Sequence, residues 1–145
     1  LAAPADKQAL AAACAAAMWE DDGASQGLGM VLEAVGPGTS RMAMKVRADM
    51  VNGHGMCHGG FIFTLADSAF AFACNSHNAK CVAAQGNIAF LRPARLGDRL
   101  MATAEERHLA GRSGIYDIRV TDQDGHVVAE LRGHSRAIGG VFFED

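Results

Sequence analysis

Between Phe61 and Cys74 the only polar side chains are Thr64, Asp67 and Ser68. A carboxylate in so apolar a stretch is costly unless it is paired or protonated, and aspartate is a weak helix former. Asp67 therefore needs a reason to be there. It is either a structural hydrogen-bond or interface partner, or a catalytic carboxylate facing a cleft. In a cleft, burial would raise its pKa and nearby donors would lower it. Immediately upstream stands His58-Gly59-Gly60. The first turn of a helix leaves backbone N–H groups unpaired at the positive end of the macrodipole. Glycine lets a ligand approach them closely. Such a helix start suits a phosphate or a developing oxyanion.

Gly59 and Asp67 are eight residues apart, about 12 Å along one helix. One carbonyl group cannot touch both. If both act on one substrate, the carboxylate must come from a second copy of the chain. Two antiparallel helices related by a twofold axis would then create two equivalent sites. Other chemistries find less support. His54, Cys57 and His58 are close in sequence, as are Cys74, His77 and Cys81, but neither set has the paired spacing of a structural zinc site. Cys57 beside a histidine could be a nucleophile, yet nothing marks its thiol as activated. No G-x-S-x-G elbow supports a serine triad. His108, His126 and His134 read as structural or surface residues.

The elements that must hold these groups can be read from the pattern. Residues 61–75 lack Gly and Pro, and Phe61, Leu65, Ala69 and Phe72 recur at helical steps. With apolar residues on nearly every side, this is a buried helix, beginning at about residue 59. Residues 48–60 read as loop. Residues 28–35 read as a strand, Gly36-Pro37-Gly38 as a turn, and residues 40–47 as a half-buried strand in which Met42, Met44 and Val46 alternate with charged neighbours. Four more strand-like runs follow at about 81–90, 98–108, 113–122 and 126–138, with Asp122-Gln123-Asp124-Gly125 turning between the last two. Strands joined by short turns favour an antiparallel sheet over βαβ units. The expected architecture is α+β: one sheet wrapped around one long buried helix, with an extra N-terminal helix at about 5–20, in a single domain over 1–145.

Composition narrows the function. The chain has 145 residues, half of them hydrophobic, and a net charge of −3 without a basic run. This is a globular balance, and it disfavours a nucleic-acid partner. The apolar segment 8–18 is too short to span a bilayer. Asp6 and Lys7 before it and Trp19-Glu20-Asp21-Asp22 after it do not make a signal peptide, so it reads as an alanine-rich surface helix. Cys14, Cys57, Cys74 and Cys81 form no regular framework and read as reduced thiols of a cytoplasmic protein.

At this point the residues resemble a known family. Asn52, His58-Gly59-Gly60, Phe63, Leu65-Ala66-Asp67 and Ala69-Phe70-Ala71 look like the signature of the hotdog-fold acyl-CoA thioesterases, in their phenylacetic acid degradation (PaaI-type) branch. Phe90-Leu91-Arg92-Pro93-Ala94, Gly97-Asp98, Gly111-Arg112-Ser113-Gly114-Ile115-Tyr116-Asp117 and Ile138-Gly139-Gly140 continue the likeness over roughly 28–140. The resemblance implies an acyl-CoA substrate, with an aromatic acyl group of the phenylacetyl type leading. It implies that the Gly59 N–H polarises the thioester carbonyl, that His58 shapes that end of the site, and that Asn52 positions the water or holds the thioester. Asp67 of the partner subunit would be the general base or nucleophile, with Ser68 beside it as support. CoA would lie near Gly60, Arg92, the Gly111–Arg112–Ser113–Gly114 turn and Arg136. The resemblance also implies a homodimer, commonly paired into a tetramer, with no metal or organic cofactor. Two other readings of the same residues stand beside it: a hotdog-fold 3-hydroxyacyl-thioester dehydratase or hydratase, and a non-catalytic acyl-CoA-binding protein.

Overall fold

The computed structural model describes residues 2–144. An alanine-rich helix α1 (Lys7–Asp21) starts where Asp6 accepts a hydrogen bond from the Ala9 N–H at 2.8 Å, a side-chain N-cap. It buries Ala11, Cys14 and Ala15 and leaves most of its surface exposed. A short helix α2 (Gly23–Gly27) follows, capped by Asp22. The expected first strand starts later than its sequence suggests, because Leu28 closes α2 and Gly29 adopts a φ of +72°. Strand β1 (Val31–Gly36) and strand β2 (Thr39–Lys45) form the hairpin.

The loop after β2 leads to the central helix α3 (Gly59–Cys74). Four long antiparallel strands follow: β3 (Cys81–Phe90), β4 (Arg99–Ala110), β5 (Ser113–Thr121) and β6 (Val127–Ala137). All six strands make one sheet in the order β1-β2-β4-β5-β6-β3. The sheet curls around α3. Leu65, Ala66, Ala69 and Phe70 of the helix pack among Met42, Leu100, Tyr116, Ile118 and Leu131 of the strands. Alternation along β4, β5 and β6 supplies this core from one face of each strand, as period-two patterning requires.

Helix and sheet approach closely. A Cβ on Gly133 of β6 would lie 2.5 Å from the Phe70 ring, so only glycine fits beneath that ring. The Ser40 hydroxyl donates to the Ala69 carbonyl and ties β2 to α3. Helix α3 runs antiparallel to β3: Gly59 meets Phe90, Phe63 meets Gly86, and Asn75, just past the helix end, bonds Cys81. No helix among the described residues is long and apolar enough to cross a membrane.

Candidate active site

The loop before α3 is held by its own backbone and by Asn52. The Asn52 Oδ1 accepts from the N–H groups of His54 at 2.9 Å and Met56 at 3.1 Å. This Asx-type turn commits the carbonyl of the side chain and leaves its amide N–H₂ as the free donor. Cys57 N–H donates to the Ala94 carbonyl and His58 N–H to the Met50 carbonyl, each at 2.8 Å. His58 is the N-cap of α3, but its exposed side chain makes no capping bond. The N–H groups of Gly59 and Gly60 have no hydrogen-bond partner among the described residues. Gly59 lines a cavity of about 500 Å³ together with Asn52, Cys57, His58, Phe90 and Arg92, among others. A Cβ on Gly59 would stand 2.8 Å from Phe90 Cζ, so a larger residue there would have to push the half-exposed Phe90 ring aside.

Asp67 lies two turns along α3, in a different cavity of about 270 Å³ lined by Phe63, Phe70, Ala84, Gln85, Gly86 and others. The two cavities share no lining residue. Asp67 accepts no hydrogen bond among the described residues, and burial raises its pKa above the ordinary carboxylate value. Desolvation without compensating donors makes a carboxylate more basic, the property a general base or nucleophile needs. The single chain therefore separates the helix-end donors from the carboxylate, as their spacing along the helix requires. Both cavities border β3, an outer strand of the sheet.

Ser68 is engaged elsewhere. The buried Ser25 hydroxyl donates to Asp22 Oδ2 at 2.7 Å and lies 2.8 Å from the Ser68 hydroxyl. A hydroxyl has one proton, so with Ser25 donating to Asp22, Ser68 donates to Ser25. Ser68 thus fastens α2 onto α3. Gln85 is the residue sequence reasoning missed: it is the only polar side chain besides Asp67 lining the smaller cavity. It follows a bulge in β3, where pairing with β6 skips between Ala83 and Gln85. Bulges re-aim side chains and recur beside active sites, but a one-residue register skip leaves no mark in composition.

The residues expected to meet CoA do not gather in one chain. Arg92 follows the end of β3 and lines the larger cavity. The Gly111–Gly114 turn and Arg136 lie at the opposite end of the sheet, where Ser113 pairs with Arg136 and Arg136 with Val82. Gly60 sits at the head of α3 with open space around it. Cys57 lines the larger cavity, but burial holds its thiol up at about 11, so little thiolate exists at neutral pH. Among the described residues, the only grouping of three metal-ligand side chains is Asp122, Asp124 and His126 on the exposed β5–β6 turn. The histidines and cysteines near the head of α3 do not converge in that way.

Comparison with known proteins identifies the family. Residues 54–129 match the thioesterase superfamily. The chain is 46% identical over 125 residues to the acyl-coenzyme A thioesterase PaaI of Escherichia coli strain K12, covering 86% of this chain and 89% of that protein. The solved structure of the E. coli PaaI protein from the phenylacetic acid degradation operon superimposes with a TM-score of 0.92, at 43% identity over 94% of this chain and 99% of that one. A Streptococcus mutans protein solved with acetyl CoA superimposes with a TM-score of 0.74, at 26% identity over 77% and 90% of the two chains. The fold, the matched region and these relatives place the chain in the thioesterase superfamily, as a hotdog-fold member of its PaaI-type branch.

Proposed function

We propose that this protein hydrolyses acyl-CoA thioesters, with an aromatic acyl group of the phenylacetyl type as the leading substrate, at sites built between two copies of the chain. One observation carries the reading. Gly59, with its unpartnered N–H, and the desolvated Asp67 lie in separate cavities, and both cavities border the unpaired edge of β3. A second copy paired antiparallel along that edge would lay two α3 helices side by side in opposite directions. For Asp67, level with Ala84 and Gln85, to reach the level of Phe90 and Gly59 in the other chain, the twofold axis must pass near Asn87. The same register sets Val82 of one chain about level with Arg92 of the other. Because Val82 pairs with Arg136, and Arg136 with Ser113, the scattered CoA-binding set would also be reunited across the interface.

In this site the Gly59 N–H polarises the thioester carbonyl, and the helix dipole favours the charge that develops on its oxygen. The free amide of Asn52 reaches the substrate or the attacking water, and His58 walls the entrance. Asp67 of the second copy removes the proton from water or attacks the carbonyl itself. The identity of a relative from a phenylacetic acid degradation operon supports the aromatic acyl group, and the apolar walls Phe63 and Phe70 beside Asp67 suit it. Two such dimers would assemble into the tetramer that the family likeness suggests, and the four unpaired cysteines support a cytoplasmic setting. Release of free CoA from phenylacetyl-CoA, followed with a thiol reagent, tests the activity. Rapid release by the native protein, lost in both Asp67→Asn and Asp67→Ala, is the expected result. Binding without release, or hydration that leaves the thioester intact, would overturn it.

A further inference from the structure

The smaller cavity exists because side chains are missing from the sheet beneath α3. Gly86 of β3 pairs with Gly133 of β6, and Gly133 pairs with Tyr116 of β5. Two neighbouring strands thus carry no side chain at the same level. Phe63 and Phe70 of α3 lie over the two glycines. A Cβ on Gly86 would stand 3.4 Å from Phe63 Cζ, and one on Gly133 would stand 2.5 Å from the Phe70 ring. Phe63, Asp67 and Phe70 line the cavity from the helix, and Gly86 lines it from the sheet. Given hydrolysis of acyl-CoA thioesters at Asp67, on which this step rests, we infer that Gly86 leaves open the acyl pocket and that Phe70, sunk onto Gly133, is its floor. The pocket then takes one aromatic ring on a short linker and refuses longer chains.

Glycine inside a strand weakens it and marks a bulge, a bend or a close approach. Neither glycine has a positive φ, so backbone conformation does not call for either. Contact with Phe70 accounts for Gly133. Gly86 has room for a Cβ, so packing within the chain does not account for it, and a ligand in the cavity would. Size agrees. The cavity measures about 270 Å³, and an apolar cavity of about 150 Å³ already takes up benzene. One ring and a methylene fit, with little room beyond them. The cavity opens at the exposed Ala83 and Ala84 of β3 and is closed at its inner end by Phe70 and Leu131, which are 1% and 3% exposed. Phe70 is held in place. Its ring packs against the buried Tyr116 ring, with centroids 5.4 Å apart. The Tyr116 hydroxyl donates to Glu106 Oε1 at 2.7 Å, and His77 Nε2 lies 2.8 Å from the same oxygen. Tyr116 is therefore a positioning residue that acts on the acyl group through Phe70.

The test measures thiol release from acetyl-, phenylacetyl- and octanoyl-CoA by the native protein and two variants. Selectivity is read as a ratio of kcat/KM values within one preparation, so it does not depend on how much of that preparation has folded. The native protein is expected to favour phenylacetyl-CoA over octanoyl-CoA. Gly86→Ala puts a methyl group into the cavity at an ordinary contact distance from Phe63, and one carbon in an apolar pocket changes selectivity by about 10–200-fold. Its phenylacetyl-to-acetyl ratio should fall at least about tenfold. Phe70→Leu lowers the floor, and its octanoyl-to-phenylacetyl ratio should rise by about tenfold. Hydrolysis with either ratio unmoved, or a native protein that takes octanoyl-CoA as readily as phenylacetyl-CoA, would overturn the inference and leave the hydrolase reading standing. No thiol release from any of the three esters by the native protein would overturn both.

Discussion

The two edges of the sheet are finished differently. At the β1 edge the strand is short and bulged between Leu32 and Ala34, the side chain of Gln8 caps the Val35 carbonyl at 2.7 Å, and Glu33 pairs with Arg99 at 3.0 Å and with Arg41 at 3.8 Å. These are devices that keep an edge from pairing. At the β3 edge ten residues, Cys81 to Phe90, carry no charged side chain, and Val82 and Phe90 are 46% and 52% exposed. A long, uncharged, apolar edge left unguarded in one copy is a surface for another strand. Both halves of the candidate site lie along that edge. The contrast is that the chain guards its β1 edge and leaves open the β3 edge, where the proposed site would be completed.

The largest effect should come from the carboxylate on the open side. Asp67→Asn is expected to lower kcat for acyl-CoA hydrolysis by about 10²–10⁴ while leaving the sedimentation behaviour unchanged, as steady-state assays and ultracentrifugation would show. Next is the edge itself. Asn87→Lys would set two like charges face to face across the proposed axis, where opposed like charges destabilise pairing. It is expected to split the dimer at low salt with a parallel loss of activity, and raised salt should restore both in part by screening. An Asn87→Lys protein that stays dimeric at low salt would move the axis away from Asn87.

The third effect is on pH dependence. Burial raises the Asp67 pKa in the folded protein, and the reaction needs the ionised form. Activity should therefore fall on the acid side at a pH above that of an ordinary carboxylate, measurable as the acid limb of kcat/KM. Stability runs the other way. Below the unfolded pKa the carboxyl is protonated in both states and costs nothing, and as pH rises through the raised folded pKa, stability is lost. Asp67→Asn should accordingly melt higher than the native protein at neutral pH. A lower Tm would show that Asp67 is paired in the assembled protein. The smallest effect belongs to the guarded edge. Glu33→Ala breaks exposed ion pairs worth about 0–1 kcal/mol, so denaturant titration should show little loss and the assembly should be unchanged.

Much of this was legible in the sequence where one physical signal acted alone. The apolar run on either side of Asp67 marks a buried helix, and alternation along residues 40–47 marks a strand. The 1.5 Å rise per residue is enough to separate Gly59 from Asp67 along one helix. What stayed hidden depends on tertiary partners. Helix α2 has two glycines in five residues, and it rests on the Asp22 cap and the Ser25–Ser68 contact. That same contact turns Ser68 from a neighbour of the carboxylate into a fastener between helices. The position of Gln85 depends on a bulge, and the distance between Arg92 and Arg136 depends on strand order, which local pattern does not encode.

Complementation between two inactive variants tests the shared site most directly. Asp67→Asn removes the carboxylate, and Gly59→Val drives a side chain into Phe90 at the head of α3. Each alone should be inactive as a homodimer. When the two are unfolded together and refolded, every mixed dimer should contain one site with both defects and one with an intact Gly59 and an intact Asp67. Random pairing should therefore recover about a quarter of the native activity. No recovery, from a mixture shown by mass to contain mixed dimers, would mean that Gly59 and Asp67 do not meet across the interface.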